Sequence, residues 1–166
     1  MKPELYGLTE EQLMIRETIR KFVEKEVVPL VEEAEMEGKF PLSLFRKMGE
    51  LGLLCIRYPL DMGGGGSDKV TECILSEELN RVCAGIAAGL MVQGGLATAP
   101  IYRYGSEALK QSILLPAIKG EKIGAFALTE PDVGSDAASL KTRATRDGGG
   151  YVLRGIEDLH HEWTHL

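Results

Sequence analysis

The 166-residue sequence predicts a mainly α protein with a partial β-domain at its C-terminal end. Three observations carry the prediction. Apolar residues recur at three-to-four spacing through most of residues 8–117, the signature of amphipathic helices. At Gly120 the character changes: IGAFALTE reads as a strand and KTRATRDGGGYVLRG as a hairpin. About three strands follow, and a sheet of so few is marginal alone. The chain is therefore expected to divide into a helical domain (1–120), the first strands of a β-domain (121–156) and a tail (157–166), and to be a piece of something longer.

The helical elements follow in order. Thr9 is the N-cap candidate of a helix over 8–37, and Glu10 and Glu11 suit the positive end of its dipole. Leu13, Ile15, Ile19, Phe22, Val23, Val27, Leu30 and Val31 form its apolar stripe, and Pro29 is placed to kink or split it. Pro41 is expected in the first turn of a second helix, with Leu42, Leu44, Phe45, Met48 and Leu51 on its apolar side. YPLDMGGGGSD reads as a loop, because four consecutive glycines lack the strand, lysine and helix context of a phosphate-binding loop. Ser67 or Asp68 caps the next helix, whose apolar face is Val70, Ile74, Leu75, Leu79 and Val82. AGIAAGLMVQGGLATA reads as a buried helix whose small residues allow close packing or leave room beside a ligand. Ser106 caps a last short helix over 106–117. Asp147-Gly148-Gly149-Gly150 turns the hairpin.

Composition narrows the function classes. A net charge of −6 argues against a protein that tracks nucleic-acid phosphates. No apolar run is expected to reach membrane-spanning length, and MKPELYGLTEEQ lacks the apolar core of a secretory signal. Cys55, Cys73 and Cys83 have neither even number nor C-x-x-C spacing, which fits free thiols in a reducing cytoplasm better than a disulfide framework.

Ala125 to Asp136, AFALTEPDVGSD, is the stretch richest in chemistry. A strand runs into a turn of Pro, Asp, Gly and Ser that exposes backbone N–H groups and the hydroxyls of Thr129 and Ser135. Such groups hold phosphate or the polar edge of a ring cofactor. They equally describe a plain strand-exit turn whose Asp and Ser make local bonds. The residues alone leave both readings open.

T-E-P-x-x-G-S-D, followed by S-L-K-T-R-A and G-Y-V-L-x-G, resembles the middle β-domain of the acyl-CoA dehydrogenase family. LTEEQ at the start, ELGLL near 50, SEELNR at 76–81 and YGSEALKQSILLPAIKGE at 104–121 agree in order, so the resemblance covers residues 8 to about 156. YPLDMGGGG departs from it, since the family has acidic residues and a tyrosine before those glycines. The resemblance implies an N-terminal helical domain, a middle β-barrel domain and a second helical bundle. It implies an FAD enzyme that dehydrogenates the Cα–Cβ bond of an acyl-CoA thioester. A glutamate removes the α-proton and the flavin N5 takes the β-hydride. That glutamate comes from the C-terminal bundle, so no catalytic residue is assigned here, and Glu130 takes a structural role. Phe126, Leu128 and Thr129 would lie along the flavin. Gly134 and Ser135 would sit near its phosphates and ribityl chain, with Ser135 also touching the CoA part of the substrate. Ala87, Ala88 and Met91 would border the acyl tail. An acceptor of the electron-transfer flavoprotein type and a homo-oligomer are implied as well. The 166-residue chain alone is expected to be inactive and to hold FAD weakly or not at all.

After G-Y-V-L-x-G the family continues with a strand of the type K-x-F-I-T-N-G. Here Glu157-Asp158-Leu159-His160-His161-Glu162-Trp163-Thr164-His165 stands instead. Its codons, GAR-GAY-CTN-CAY-CAY-GAR-TGG-ACN-CAY, read without the first G permit Lys-Ile-Phe-Ile-Thr-Asn-Gly-Pro. Tail 157–166 is therefore expected to be the read-through of a one-base frameshift near 156. The same tail spells H-E-x-x-H, the zinc-hydrolase pattern of two histidines on one helix face. That alternative needs a helix and a third ligand. A strand-like run and Gly155 precede the motif, His160 points off the shared face, and only Leu166 follows. No metal ligand is assigned. A third alternative is a non-enzymatic helical module whose exposed apolar surface pairs with another chain.

Overall fold

The structure is a computed structural model that describes residues 7–156 and the backbone of Leu159 and His160. The chain forms two compact units, Met1–Gly124 and Ala125–Leu166. The division falls after Gly124 rather than at 120 because Gln93, buried in the helical unit, binds the Lys122 carbonyl and the Gly124 N–H.

The helical unit contains α1 (Glu10–Phe22), α2 (Val28–Glu37), α3 (Ser43–Glu50), α4 (Lys69–Asn80), α5 (Ala84–Val92), α6 (Ala99–Tyr104), α7 (Glu107–Leu109) and α8 (Leu115–Ile118). Thr9 opens α1 with a reciprocal cap. Its hydroxyl accepts the Gln12 N–H, and the Gln12 side chain accepts the Thr9 N–H. Asp68 rather than Ser67 caps α4, and Ser106 caps α7. Pro41 precedes the N-cap of α3 instead of lying inside its first turn, and its carbonyl accepts the Leu44 N–H.

Three of the expected helices are each interrupted by a π-turn, at Val23–Val27, Gln93–Ala97 and Lys110–Leu114. Each is followed by a helix with proline at its start: Pro29, Pro100 and Pro116. Proline has no N–H, and its ring collides with the carbonyl four residues back. A wider turn just upstream carries the ladder past that carbonyl, with Val28 N–H donating to Val23 O, Thr98 to Gln93 and Leu115 to Lys110.

Ile19, Phe22, Val23, Leu44, Phe45, Met48, Leu75, Leu79, Leu90, Leu114 and Ile118 pack into one core. Three residues read as apolar-face positions are exposed: Leu42, Leu51 and Val70, at 48%, 57% and 45%, each at or beside a helix end. The core also encloses a charge. Glu78 is fully buried on α4, and its carboxylate accepts from Arg16 Nε (2.9 Å) and Arg20 Nη2 (2.7 Å) on α1. Arg20 chiefly, then Arg16, hold its pKa down to about 2 against the opposing effect of burial.

The glycine loop is built by close approach. The N–H groups of Gly65, Gly66 and Ser67 donate to the carbonyls of Cys55, Tyr58 and Ile56. A Cβ at Gly64 would overlap the Tyr58 carbonyl. The glycines thus line a backbone-to-backbone contact rather than a phosphate cradle.

Ala84–Tyr104 runs 21 residues, and its most apolar 18-residue window has a mean hydropathy of 1.4. By length and composition this helical stretch is able to cross a membrane, which corrects the expectation that no run reaches that length. Its Ile86, Ala87 and Leu90 are buried in the core, and Gln93 and Thr98 are buried with hydrogen bonds made, as suits a core helix.

In the second unit, β1 spans only Ala127–Thr129 and pairs antiparallel with β4 (Leu159–His160). This is shorter than the strand expected over 123–130, because Gly124 N–H is already bonded to Gln93. β2 (Arg143–Asp147) and β3 (Gly150–Arg154) form the hairpin, with Asp147 opposite Gly150 and Gly148 at φ +57° in the turn.

Candidate functional site

The turn after β1 is held at two levels. Glu130 and Val133 exchange backbone hydrogen bonds of 3.1 and 3.0 Å across Pro131-Asp132. The Glu130 side chain then reaches along the chain. Its Oε2 accepts the Lys141 N–H at 2.8 Å and its Oε1 accepts the Thr142 N–H at 2.7 Å. Glu130 is 5% exposed. The Lys141 N–H, followed by the Thr142 bonds, holds its pKa below the ordinary carboxylate value. A carboxylate with both oxygens occupied and a lowered pKa is a clamp, not a general base. Between its two anchor points, Lys141 Nζ meets Asp132 at 2.6 Å, and the Ser139 hydroxyl donates to Asp136.

Glycine and hydroxyl groups remain at the surface of this clamped loop. Gly134 and Ser135 are exposed, and a Cβ added at Gly134 would meet nothing within 4 Å. The hydroxyls of Thr129 and Ser135 have no hydrogen-bond partner among the described residues. Phe126 is half-buried just before β1, and Leu128 is exposed within it. The five positions expected to face a cofactor thus lie in one short segment, 126–135, of the second unit.

The three positions expected along an acyl tail diverge on α5. Ala87 is fully buried in the core and offers no surface to a ligand. Ala88 is exposed. Met91 lines a pocket of about 230 Å³ within the helical unit, together with Cys55, Tyr58, Gly95 and Tyr102. Tyr58 stacks on Tyr102 with ring centroids 4.6 Å apart, and its hydroxyl is 2.9 Å from that of buried Thr98. Burial, as the larger effect, raises the Tyr58 pKa, and it pushes the Cys55 thiol up to about 12.

Three site-building residues escaped the sequence reading. Gln93 ties the π-turn to the carbonyls of Ala117 and Lys122 and to Gly124 N–H. Its signal was a lone amide inside a Gly/Ala-rich apolar run. Lys141 and Thr142 serve Glu130 through backbone N–H groups, which no residue type reveals. Among the described residues no cluster of three or more His, Cys, Asp or Glu is arranged to hold a metal ion. The His161–His165 motif lies outside the described residues.

Comparison with known proteins adds relatives to this geometry. The family model for the acyl-CoA dehydrogenase N-terminal domain matches residues 9–121. The short-chain specific mitochondrial acyl-CoA dehydrogenase of Rattus norvegicus is 42% identical over 150 residues, covering 90% of this chain and 36% of that protein. A glutaryl-CoA dehydrogenase of Mycobacterium smegmatis, solved in complex with FADH2, superposes with a TM-score of 0.86 at 35% identity, over 92% of this chain and 39% of that one. A chain in the structure of the electron transferring flavoprotein of Acidaminococcus fermentans gives 0.87 at 36% identity, over 96% and 42%. The chain spans between 36% and 40% of the length of the curated relatives it matches.

Proposed function

Because the chain belongs to the acyl-CoA dehydrogenase family, we propose that it supplies the helical unit and the flavin-facing opening of the β-unit of an FAD-dependent enzyme that dehydrogenates an acyl-CoA thioester between Cα and Cβ. The observation that carries this reading is the clamped turn, where Glu130 fixes both ends of a loop whose glycine and hydroxyls are left at the surface.

The residues fit such a cofactor. Thr129 and Ser135 are hydroxyls without protein partners among the described residues, placed to bond a ring edge and a phosphate. Gly134 leaves space for a close approach. Phe126 and Leu128 offer apolar surface beside them. Ser135 would also bond the CoA part of the substrate, and Met91 is the best placed of the three α5 positions for an acyl tail. When bound, FAD supplies the acceptor for the hydride of the acyl β-carbon. This chain's residues orient and enclose; none of them is assigned the proton abstraction. A flavoprotein acceptor of the electron-transfer type, a homo-oligomeric enzyme and a reducing cytoplasmic compartment, in which Cys55, Cys73 and Cys83 stay free thiols, complete the reading.

We further propose that the natural reading frame leaves this sequence near residue 156, so that 157–166 replace a flavin-contacting strand. Sequencing the gene across codon 156 and removing one base there to recover the other frame tests both ideas. The restored product is expected to purify with bound flavin and to dehydrogenate acyl-CoA substrates, while the 166-residue chain shows no turnover. DNA that does not continue as an acyl-CoA dehydrogenase in the other frame rejects the frameshift. A yellow, active preparation of the 166-residue chain rejects its inactivity, and a restored protein without flavin rejects the enzyme reading.

A further inference from the structure

The hairpin carries an unusual cross-strand pair. Its register sets Arg143 opposite Arg154 at the open end. Directly opposed residues of an antiparallel pair project to the same face, with Cβ atoms about 4.5–5.5 Å apart. Like charges so placed destabilise a hairpin unless something neutralises them. The described acids of this unit are engaged or distant. Glu130 holds the backbone at 141–142, Asp132 holds Lys141, Asp136 takes the Ser139 hydroxyl, and Asp147 lies at the turn, the opposite end of the ladder. Neither arginine has an acidic partner among the described residues. Arg146 differs, since it lies over the Tyr151 ring on the other face, 5.8 Å from its centroid.

The base beneath the pair is fixed. Glu130 anchors Lys141 and Thr142 immediately before Arg143. Gly155, immediately after Arg154, packs so closely on Thr142 that a Cβ there would overlap its side chain. The two arginines thus share one face at an anchored end of the hairpin, and both are exposed. Planar guanidinium forks match the oxygens of phosphate in bidentate fashion.

We propose that Arg143 and Arg154 form a phosphate-binding pair, which chelates one phosphate group between the two strands. Resting on the function proposed above, its source is the phosphate-bearing part of the acyl-CoA: either the 3′-phosphate, which FAD lacks, or the diphosphate, which FAD shares. Titration of the 166-residue chain with inorganic phosphate at low ionic strength, followed by the arginine side-chain Nε–H resonances, tests the pair itself. The Arg143 and Arg154 signals are expected to move together and those of Arg146 to stay. Arg154→Asn should weaken the binding about tenfold, as for loss of one charge-assisted hydrogen-bonding partner. Tyr151 resonances report whether the hairpin of the variant is intact, and Arg143→Thr repeats the test from the other strand. Unmoved Arg143 and Arg154 signals, or equal affinity in both folded variants, overturn the pair. Coenzyme A, dephospho-coenzyme A and FAD then separate the sources. Preference for coenzyme A over dephospho-coenzyme A assigns the 3′-phosphate, and equal binding of all three assigns the diphosphate. Response to inorganic phosphate without response to any of the three keeps the pair and rejects its link to the proposed substrate. The flavin content of the frame-restored enzyme judges the function separately.

Discussion

The two units of this chain are stabilised by different means. The helical unit buries a continuous apolar core from Ile19 to Ile118 and encloses the Glu78 carboxylate among three arginines, Arg16, Arg20 and Arg81. In the second unit, among the described residues, only Val133 and Glu130 are buried, and every residue of the hairpin is exposed. The first is held by area removed from water, the second by backbone ladders and by hydrogen bonds to one side chain. The contrast teaches where disruption travels: a core change should unfold the helical unit as a whole, whereas a change at Glu130 should act within its own loop.

The largest expected effect is at the centre of the core. Phe45→Ala should cost about 3–5 kcal/mol, seen as a large fall in the denaturant midpoint of the helical signal. A loss below about 1 kcal/mol would mean that the core is not the main support. Glu78→Gln should cost about 2–3 kcal/mol, because it leaves Arg16 and Arg20 facing a neutral group, with part of the arginine charge relieved by solvent. The sign with pH follows from the lowered pKa. The contribution of Glu78 is complete above its ordinary value near 4.5 and is lost as pH falls through about 2. Acid unfolding of the helical unit should therefore be shallower in the variant, which equal pH slopes would contradict. Thr9→Ala removes the reciprocal cap and should cost about 1 kcal/mol, with faster amide exchange confined to the first turn of α1. Glu130→Gln should leave the helical midpoint unchanged within about 0.5 kcal/mol. Amide exchange at Lys141 and Thr142 should quicken about tenfold, as for loss of a charge-assisted bond. A lowered helical midpoint in this variant would break the distinction between the units.

What the sequence disclosed divides along the same line as local and distant partners. Thr9, Ser106 and the Asp-Gly-Gly-Gly turn were legible because each acts on a residue three positions away. The T-E-P-x-x-G-S-D segment was legible as a resemblance, and its residues do lie together. The carboxylate that shapes it was named without its task, since its partners are backbone groups eleven and twelve positions on. The exposure of Leu42, Leu51 and Val70 was hidden because periodicity marks a face but not where the neighbouring element stops covering it. The helix over 84–104 shows the reverse error, where counting polar letters understated a stretch whose Gln93 and Thr98 are satisfied inside the protein.

The proline-linked π-turns reach beyond this one molecule. Each spends one more residue than an α-helical ladder would need to cover the same rise. A relative without the proline is free to drop that residue and keep every flanking side chain on its original face. Aligned sequences should then show single-residue gaps in mid-helix at 23–27, 93–97 and 110–114, where a length change ordinarily signals a broken element. Here such a gap would record only a change in how the chain steps around one missing N–H.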